Sequence, residues 1–264
     1  MERIEHRQRW SARLRRASEM LEQHTAAAPA LHLYRATLEF QQDLALRSNQ
    51  IFDLSVPLRE QIDISEVSAA FPGILSLGLA HGSETLQHAA QDLRQSGESS
   101  WRRNLNAVLT GSSSLAATED FFARACLQPV AENLQLQLSR DANYHEKTCP
   151  ACGGVPQAAV LRPEGEGASR WLLCSFCLCE WPFRRLVCAW CGEEDKEKLP
   201  RYSNEEWPYV HVEACDTCRH YLKAIDMSID GLAVPIVDEV ALAVLDIWAK
   251  DHGYTKIIWN LVGF

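Results

Sequence analysis

Two residue types are nearly missing from the first half of this 264-residue chain. Lysine is absent from Met1 to Glu146, and of the ten cysteines only Cys126 lies before Cys149. Apolar runs are short everywhere, and none approaches the roughly 20 residues that a membrane-spanning helix needs. No membrane insertion is therefore expected. The Arg-rich start (MERIEHRQRWSARLRR) is followed by no apolar h-region and so does not read as a secretory signal. It carries acidic residues too, which argues against an organellar transit peptide, and the expected address is the cytoplasm. Also missing are a P-loop, G-x-G-x-x-G, G-x-S-x-G and H-E-x-x-H. Their absence removes the common nucleotide-binding, hydrolase and zinc-protease readings. The net charge of -9 leaves no basic surplus to displace counterions from a phosphate backbone, so no nucleic-acid partner is expected.

What remains is an ordinary globular composition, 47% apolar and 23% charged, with enough chain for a real core. The loss of lysine-free character and the onset of cysteines coincide near residues 141–148 (DANYHEKT) and mark a domain boundary. Before it the pattern is helical. Leu31, Tyr34 and Leu38 form an i, i+3, i+7 stripe after Pro29. Trp101, Leu105, Val108 and Leu109 form another, with Ser100 placed to cap the helix and Gly111 to stop it. A helix from about Thr118 buries Phe122 and Cys126, and Pro129 is expected to kink or end it. Pro72, Gly73, Gly78 and Gly82 predict short helices in between, and GSSS at 111–114 reads as a plain loop. Beyond the boundary, β-prone runs such as Arg170–Leu173 and Tyr209–Val212 alternate with Cys, Gly, Pro and Trp. Val237, Val240, Val244 and Trp248 then predict one C-terminal helix of about four turns between Pro235 and Gly253. The expected fold class is α+β: a multi-helix domain over 1–146, a four-cysteine module over 147–187, and a second over 188–264 that ends in the C-terminal helix.

The cysteines carry the chemistry. CPACGG (149–154) repeats as CAWCGE (188–193), and CSFC before Trp181 repeats as CDTC before Tyr221, at an offset of about 40 residues. Each C-x-x-C pair places two thiolates on one tight turn, and two such turns surround one tetrahedral ion. Within a module the pairs are separated by 21 and 23 residues, close to ordinary metal-site spacing. Disulfides are disfavoured, because a C-x-x-C bridge closes too small a loop to stabilise much. The expected ligands are Cys149, Cys152, Cys174 and Cys177 at one ion, and Cys188, Cys191, Cys215 and Cys218 at another. The repeat favours this sequential pairing over a cross-brace. Cys179 would break its knuckle turn and is read as a non-ligand, Cys126 as a buried small hydrophobe, and His211 and His220 as supporting residues. Trp171, Trp181, Trp190 and Trp207 read first as packing around small modules, while Glu205 and Glu206 read as solvated. Sites closed by four protein ligands leave no position for substrate or water, so they read as structural or electron-transferring and not hydrolytic, and no catalytic residue is assigned. The S4 donor set suits iron or zinc.

The order CPACGG…CSFCLCEW…RLVCAWCG…EACDTCRHYLK, then DEVALAVLDIWAKDHGY and Asn260, resembles the formate dehydrogenase accessory protein FdhE family over residues 147–260. The resemblance implies two rubredoxin-like sites and two metal ions per chain, iron first and zinc as the alternative. It also implies a cytoplasmic, non-enzymatic chaperone that binds the catalytic subunit of formate dehydrogenase and assists its maturation. Glu180, Trp181 and Arg185 match the family after the second knuckle, and Glu213, Tyr221, Leu222 and Lys223 match it around the fourth. The chain departs from the family at Cys179, usually Thr, at Pro182, often His, and in its final Leu-Val-Gly-Phe. The competing expectation is a rubredoxin-like electron carrier.

Overall fold

The computed structural model describes residues 2–48, 51, 53, 55–111, 115–138 and 143–263. Eight α-helices precede the first strand among them: α1 (Glu2–Gln23), α2 (Ala28–Arg47), α3 (Leu58–Gln61), α4 (Ile64–Ala69), α5 (Phe71–His81), α6 (Glu84–Ser96), α7 (Glu98–Thr110) and α8 (Ala117–Gln135). No described helix is long and apolar enough to cross a membrane. Leu31, Tyr34 and Leu38 are buried, as their spacing predicts, and so are Leu105, Val108 and Leu109.

The centre of the bundle is α8, which packs against α2, α5, α6 and α7 and buries Phe122 and Cys126 completely. It runs through Pro129 instead of ending there. A proline in a helix leaves the carbonyl four residues earlier without its donor. Here that carbonyl is Ala125 O, and the buried Gln41 side chain donates to it at 3.1 Å from α2. A partner distant in sequence therefore repairs the helix. The start of α7 differs as well. Its cap is Gly97 with φ 72°, and Ser100 sits inside the first turn, accepting a hydrogen bond from Arg103. Gly111 closes the helix in the left-handed conformation, φ 68°, as expected, while Ser112–Ser114 of the expected loop lie outside the described residues. Pro72 opens α5 and Gly82 ends it, but Gly73 and Gly78 lie inside it.

The strands form one sheet, β1 (Pro156–Glu164), β2 (Gly167–Cys174), β3 (Glu180–Pro182), β4 (Arg201–Ser203), β5 (Val210–Ala214), β6 (His220–Asp226) and the short β7 (Thr255–Lys256). Their order is β3-β2-β1-β6-β5-β4, with β7 on β6. Each four-cysteine repeat supplies an antiparallel meander, β1–β3 and β4–β6. Parallel pairing of Ala158–Leu161 in β1 with Lys223–Asp226 in β6 joins the two meanders. Arg170 on β2 reinforces the joint with a two-nitrogen grip on Glu213 of β5, at 2.7 and 3.0 Å.

The C-terminal stripe forms two helices, not the single one expected: α9 (Pro235–Ala241) and α10 (Val244–Asp251). The break frees backbone carbonyls, and buried Lys223 of β6 uses them. Its ammonium donates to Glu239 O, to Leu242 O at 3.3 Å and to the Asp246 carboxylate at 2.6 Å. Lys256 reaches the carboxylates of both Glu239 and Asp246, Asn260 donates to Glu239 at 2.6 Å, and Tyr221 donates to Asp246 at 2.8 Å. On the other side of α9, Asp238 takes Arg16 of α1 at 2.6 Å and the Tyr209 hydroxyl at 2.8 Å. The helical layer is thereby fastened to the second meander.

Gly78 provides a test of the bundle. A Cβ there would lie 2.6 and 2.8 Å from the buried Phe122 ring. Gly-to-Ala substitution inside a helix ordinarily stabilises by about 1 kcal/mol. Gly78→Ala is expected to reverse that sign and destabilise by about 1–3 kcal/mol, because a packed aromatic ring must move. Denaturant unfolding measures it, and a stabilised variant would contradict this packing.

Candidate metal centres

Each cluster is built by two turns that share one backbone pattern. The amide of the first cysteine donates to the carbonyl five residues on: Cys149 to Gly154 at 2.7 Å, Cys174 to Cys179 at 2.9 Å, Cys188 to Glu193 at 2.9 Å and Cys215 to His220 at 2.9 Å. The residue after each pair adopts a left-handed conformation, with φ 69° at Gly153, 55° at Leu178, 85° at Gly192 and 58° at Arg219. Glycine meets this requirement without strain in the first turn of each module. Leu178 and Arg219 meet it against their own Cβ. Aligning the C-x-x-C turns within each module places them opposite the glycines, which is the one signal in the sequence for their strain.

These turns bring together the Sγ atoms of Cys149, Cys152, Cys174 and Cys177, and those of Cys188, Cys191, Cys215 and Cys218, each set within 4.8 Å. The geometry matches the sequential pairing expected from the repeat. Sulfur separations are 3.5 Å for Cys149–Cys177, 3.4 Å for Cys152–Cys174, and 3.7 Å for both Cys188–Cys218 and Cys191–Cys215. Disulfide sulfurs lie near 2.05 Å, and all ten cysteines are free. A tetrahedron with metal–sulfur bonds of about 2.3 Å has edges of about 3.8 Å, so the donor set and its size fit a four-thiolate ion site. The two groups can hold two ions. Backbone amides of Gly154, Phe176 and Trp190 point at Cys152, Cys174 and Cys188 Sγ, each at 3.4 Å.

Hydrogen bonding among the sulfurs pulls the Cys152 thiol below its ordinary pKa and pushes Cys149 above it, while burial pushes Cys177 up. Four thiolates this close repel one another, and a cation between them removes the repulsion. Cys179 lies beside the first cluster but outside its four grouped sulfurs, and its thiol donates to Glu180 O at 3.7 Å. It occupies the position that His220 occupies in the second module. His220 stacks on Trp190, with ring centroids 5.0 Å apart. His211 is buried four residues before Cys215, beside Asp226 at 3.8 Å. Burial and the Arg201 guanidinium hold its pKa below the ordinary histidine value. Trp181 is buried and donates to Glu146 O at 2.9 Å, whereas Trp190 is 42% exposed. Glu205 and Glu206 are exposed, and Cys126 is buried in the helical core.

Sequence reading missed the helical layer's hold on the first cluster. Arg59 of α3 donates from Nε to Cys152 O at 3.0 Å and from Nη1 to Val108 O at 2.8 Å, with its guanidinium 4.1 Å above the Phe176 ring. Arg124 and Gln128 of α8 donate to Ser175 O at 3.0 and 3.2 Å. Nothing local marks these residues, because they lie 47 to 117 positions from the groups they contact.

Comparison with known proteins agrees with the geometry. The family model for the FdhE central domain matches residues 148–185, and that for the FdhE C-terminal domain matches 186–262. The crystal structure of the FdhE protein from Pseudomonas aeruginosa superposes with a TM-score of 0.78 at 25% identity, covering 96% of this chain and 95% of that one. The two domain matches and the structural likeness support the FdhE family. An FdhE homolog of Aquifex aeolicus is 27% identical over 202 residues, 74% of this chain and 69% of that protein. One from Pseudomonas aeruginosa is 32% identical over 186 residues, 66% of this chain and 59% of that protein. The FdhE homolog of Stutzerimonas stutzeri is matched over 43% of its length.

The two centres differ in the residue that ends their first turn. Gly154 has a Cβ position 3.2 Å from both Cys152 Sγ and Cys174 Sγ, while its counterpart Glu193 carries a full side chain. With zinc loaded, Gly154→Ala is expected to weaken retention at the first centre by roughly tenfold or more and to leave the second unchanged. Metal content after dialysis against a competing chelator reads this, and two ions held as tightly as in the parent would refute the crowding.

Proposed function

We propose that this chain is a non-enzymatic accessory protein, an assembly factor that binds the catalytic subunit of formate dehydrogenase in the cytoplasm and assists its maturation. Cys149, Cys152, Cys174 and Cys177 hold one metal ion and Cys188, Cys191, Cys215 and Cys218 hold the other. The observation that carries the reading is the pair of closed four-sulfur clusters fused through one sheet, in a chain that superposes along its length on an FdhE protein. A closed S4 site leaves no coordination position for a substrate, so the ions serve shape or electron transfer and not hydrolysis. Bound at these clusters, a cation neutralises the crowded thiolates and fixes the four turns that carry the sheet. The acidic chain has no basic surplus, which favours a protein partner over nucleic acid. Affinity capture with the tagged full chain is expected to enrich the formate dehydrogenase catalytic subunit. No enrichment, together with unchanged formate dehydrogenase activity in a deletion strain, would sink the proposal.

A rubredoxin-like electron carrier is the second reading, and the exposure of Cys191 favours it. An exposed ligand brings a redox ion to the surface, where electrons can leave. Anaerobic purification with elemental analysis and an absorption spectrum separates the two. Iron whose colour bleaches on reduction and returns on oxidation is expected from a carrier, and a protein holding zinc alone rejects it.

A further inference from the structure

The two centres share a backbone design but not surroundings. In the first, Cys149 is 2% exposed, Cys174 and Cys177 are fully buried and Cys152 is half-buried. In the second, Cys191 is exposed and Cys218 is half-buried. Burial of the first centre comes partly from the helical layer, and the residue at the contact is Arg59. It touches both turns of that centre at once, Cys152 through its carbonyl and Phe176 through its ring face. Its Nη1 also holds Val108 O at 2.8 Å and Leu109 O at 3.3 Å, the carbonyls at the C-terminal end of α7. That helix end carries negative partial charge, and four thiolates around a divalent cation carry a net charge of about -2. The guanidinium thus lies between two negative regions and bonds to the protein on both sides. A planar fork that also stacks on an aromatic ring can do this, whereas a lysine ammonium supplies only a point charge. The second centre is held differently: its two turns are tied to each other by the Trp190–His220 stack and by Thr217 Oγ1 donating to Glu193 at 2.6 Å. Its last turn is tied through Arg219 to the C-terminal end of α10, at His252 O and Gly253 O, and Cys191 stays open to solvent.

We propose that Arg59 is a positioning residue that locks the first metal centre under the helical layer, leaving the second as the exchangeable one. Ion release requires the two turns of a centre to separate. At the first centre Arg59 spans both turns, so they cannot separate until its bonds to Cys152 and its stacking on Phe176 are lost. At the second centre an incoming ligand can attack through Cys191 directly. This inference rests on the metal-binding reading above.

The test is release of zinc from the zinc-loaded full chain to the chromogenic chelator 4-(2-pyridylazo)resorcinol, after elemental analysis of the loaded protein. Two phases of one ion each are expected, and the double variant Cys191→Ser, Cys218→Ser should lose the fast one. Arg59→Met should accelerate the slow phase by about tenfold or more and leave the fast phase unchanged. Arg59→Lys, which keeps the charge without the fork, should accelerate it as well, and decides the matter if the Met variant fails to fold. The fast phase serves as the internal control, since general loosening of the structure would change both. A slow phase unaltered by either substitution, equal changes in both phases, or a single phase in the parent would each overturn the lock. Absence of bound zinc in the loaded parent would instead bring down the metal-binding reading, and the lock with it.

Discussion

The parallel pairing of β1 with β6 is the joint on which the rest of the molecule hangs. Two small four-cysteine meanders have little core of their own, and placing them edge to edge gives each the other as a neighbour. The joint runs from Ala158 opposite Lys223 to Leu161 opposite Asp226, so a lysine sits in its first position. Burial alone would push the Lys223 ammonium down, but Glu239 and Asp246 hold its pKa above the ordinary value. Lys256 experiences the same burial plus the charge of Lys223, and its pKa falls despite Glu239 and Asp246. Two ammonium groups and two carboxylates thus meet out of water, with Asn260 and Tyr221 filling remaining acceptor positions. Clusters of this kind add little net stability compared with apolar packing, since desolvation offsets most of the attraction. Their effect is directional. The observed placement of α9 and α10 gives each of these charges a partner, and it carries Asp238 to where Arg16 of α1 reaches it.

The placement explains which features the sequence disclosed. The grouping of eight cysteines into two clusters was legible because such clusters rest on local spacing, and local spacing survives as a pattern. The helical first half was legible through its apolar stripes. How the two repeats meet was not, because an offset of about 40 residues says that a unit recurs and nothing about which edges pair. The break between α9 and α10 was hidden for a similar reason. Val237, Val240, Val244 and Trp248 keep helical spacing across it, yet Lys223 on a strand takes Leu242 O and Glu239 O for itself. Pro129 misled in the opposite direction, since the donor that makes it tolerable belongs to Gln41 on another helix. Family resemblance had singled out Tyr221, Lys223 and Asn260, but their common role shows only where the chain brings them to Glu239 and Asp246.

The metal turns themselves carry a constraint that the fold must supply. Leu178 and Arg219 are held left-handed, which costs about 1–2 kcal/mol at each. At Leu178 the side chain is buried, 7% exposed, so apolar packing offsets the strain. At Arg219 the side chain is 47% exposed, and the compensation is polar. Its guanidinium bonds Asp216, His252 O and Gly253 O and lies 4.0 Å above the Tyr254 ring. His252, Gly253 and Tyr254 follow α10, and α10 is held by Asp246 against Lys223. The second centre is therefore anchored through the C-terminal helices to the β1–β6 joint, while the first is anchored to the helical layer through Arg59, Arg124 and Gln128. One motif used twice is supported from two different sides of the molecule. A change at either support reaches one centre before the other, so ions held at the two clusters would not have to share one affinity, one rate of exchange or one role.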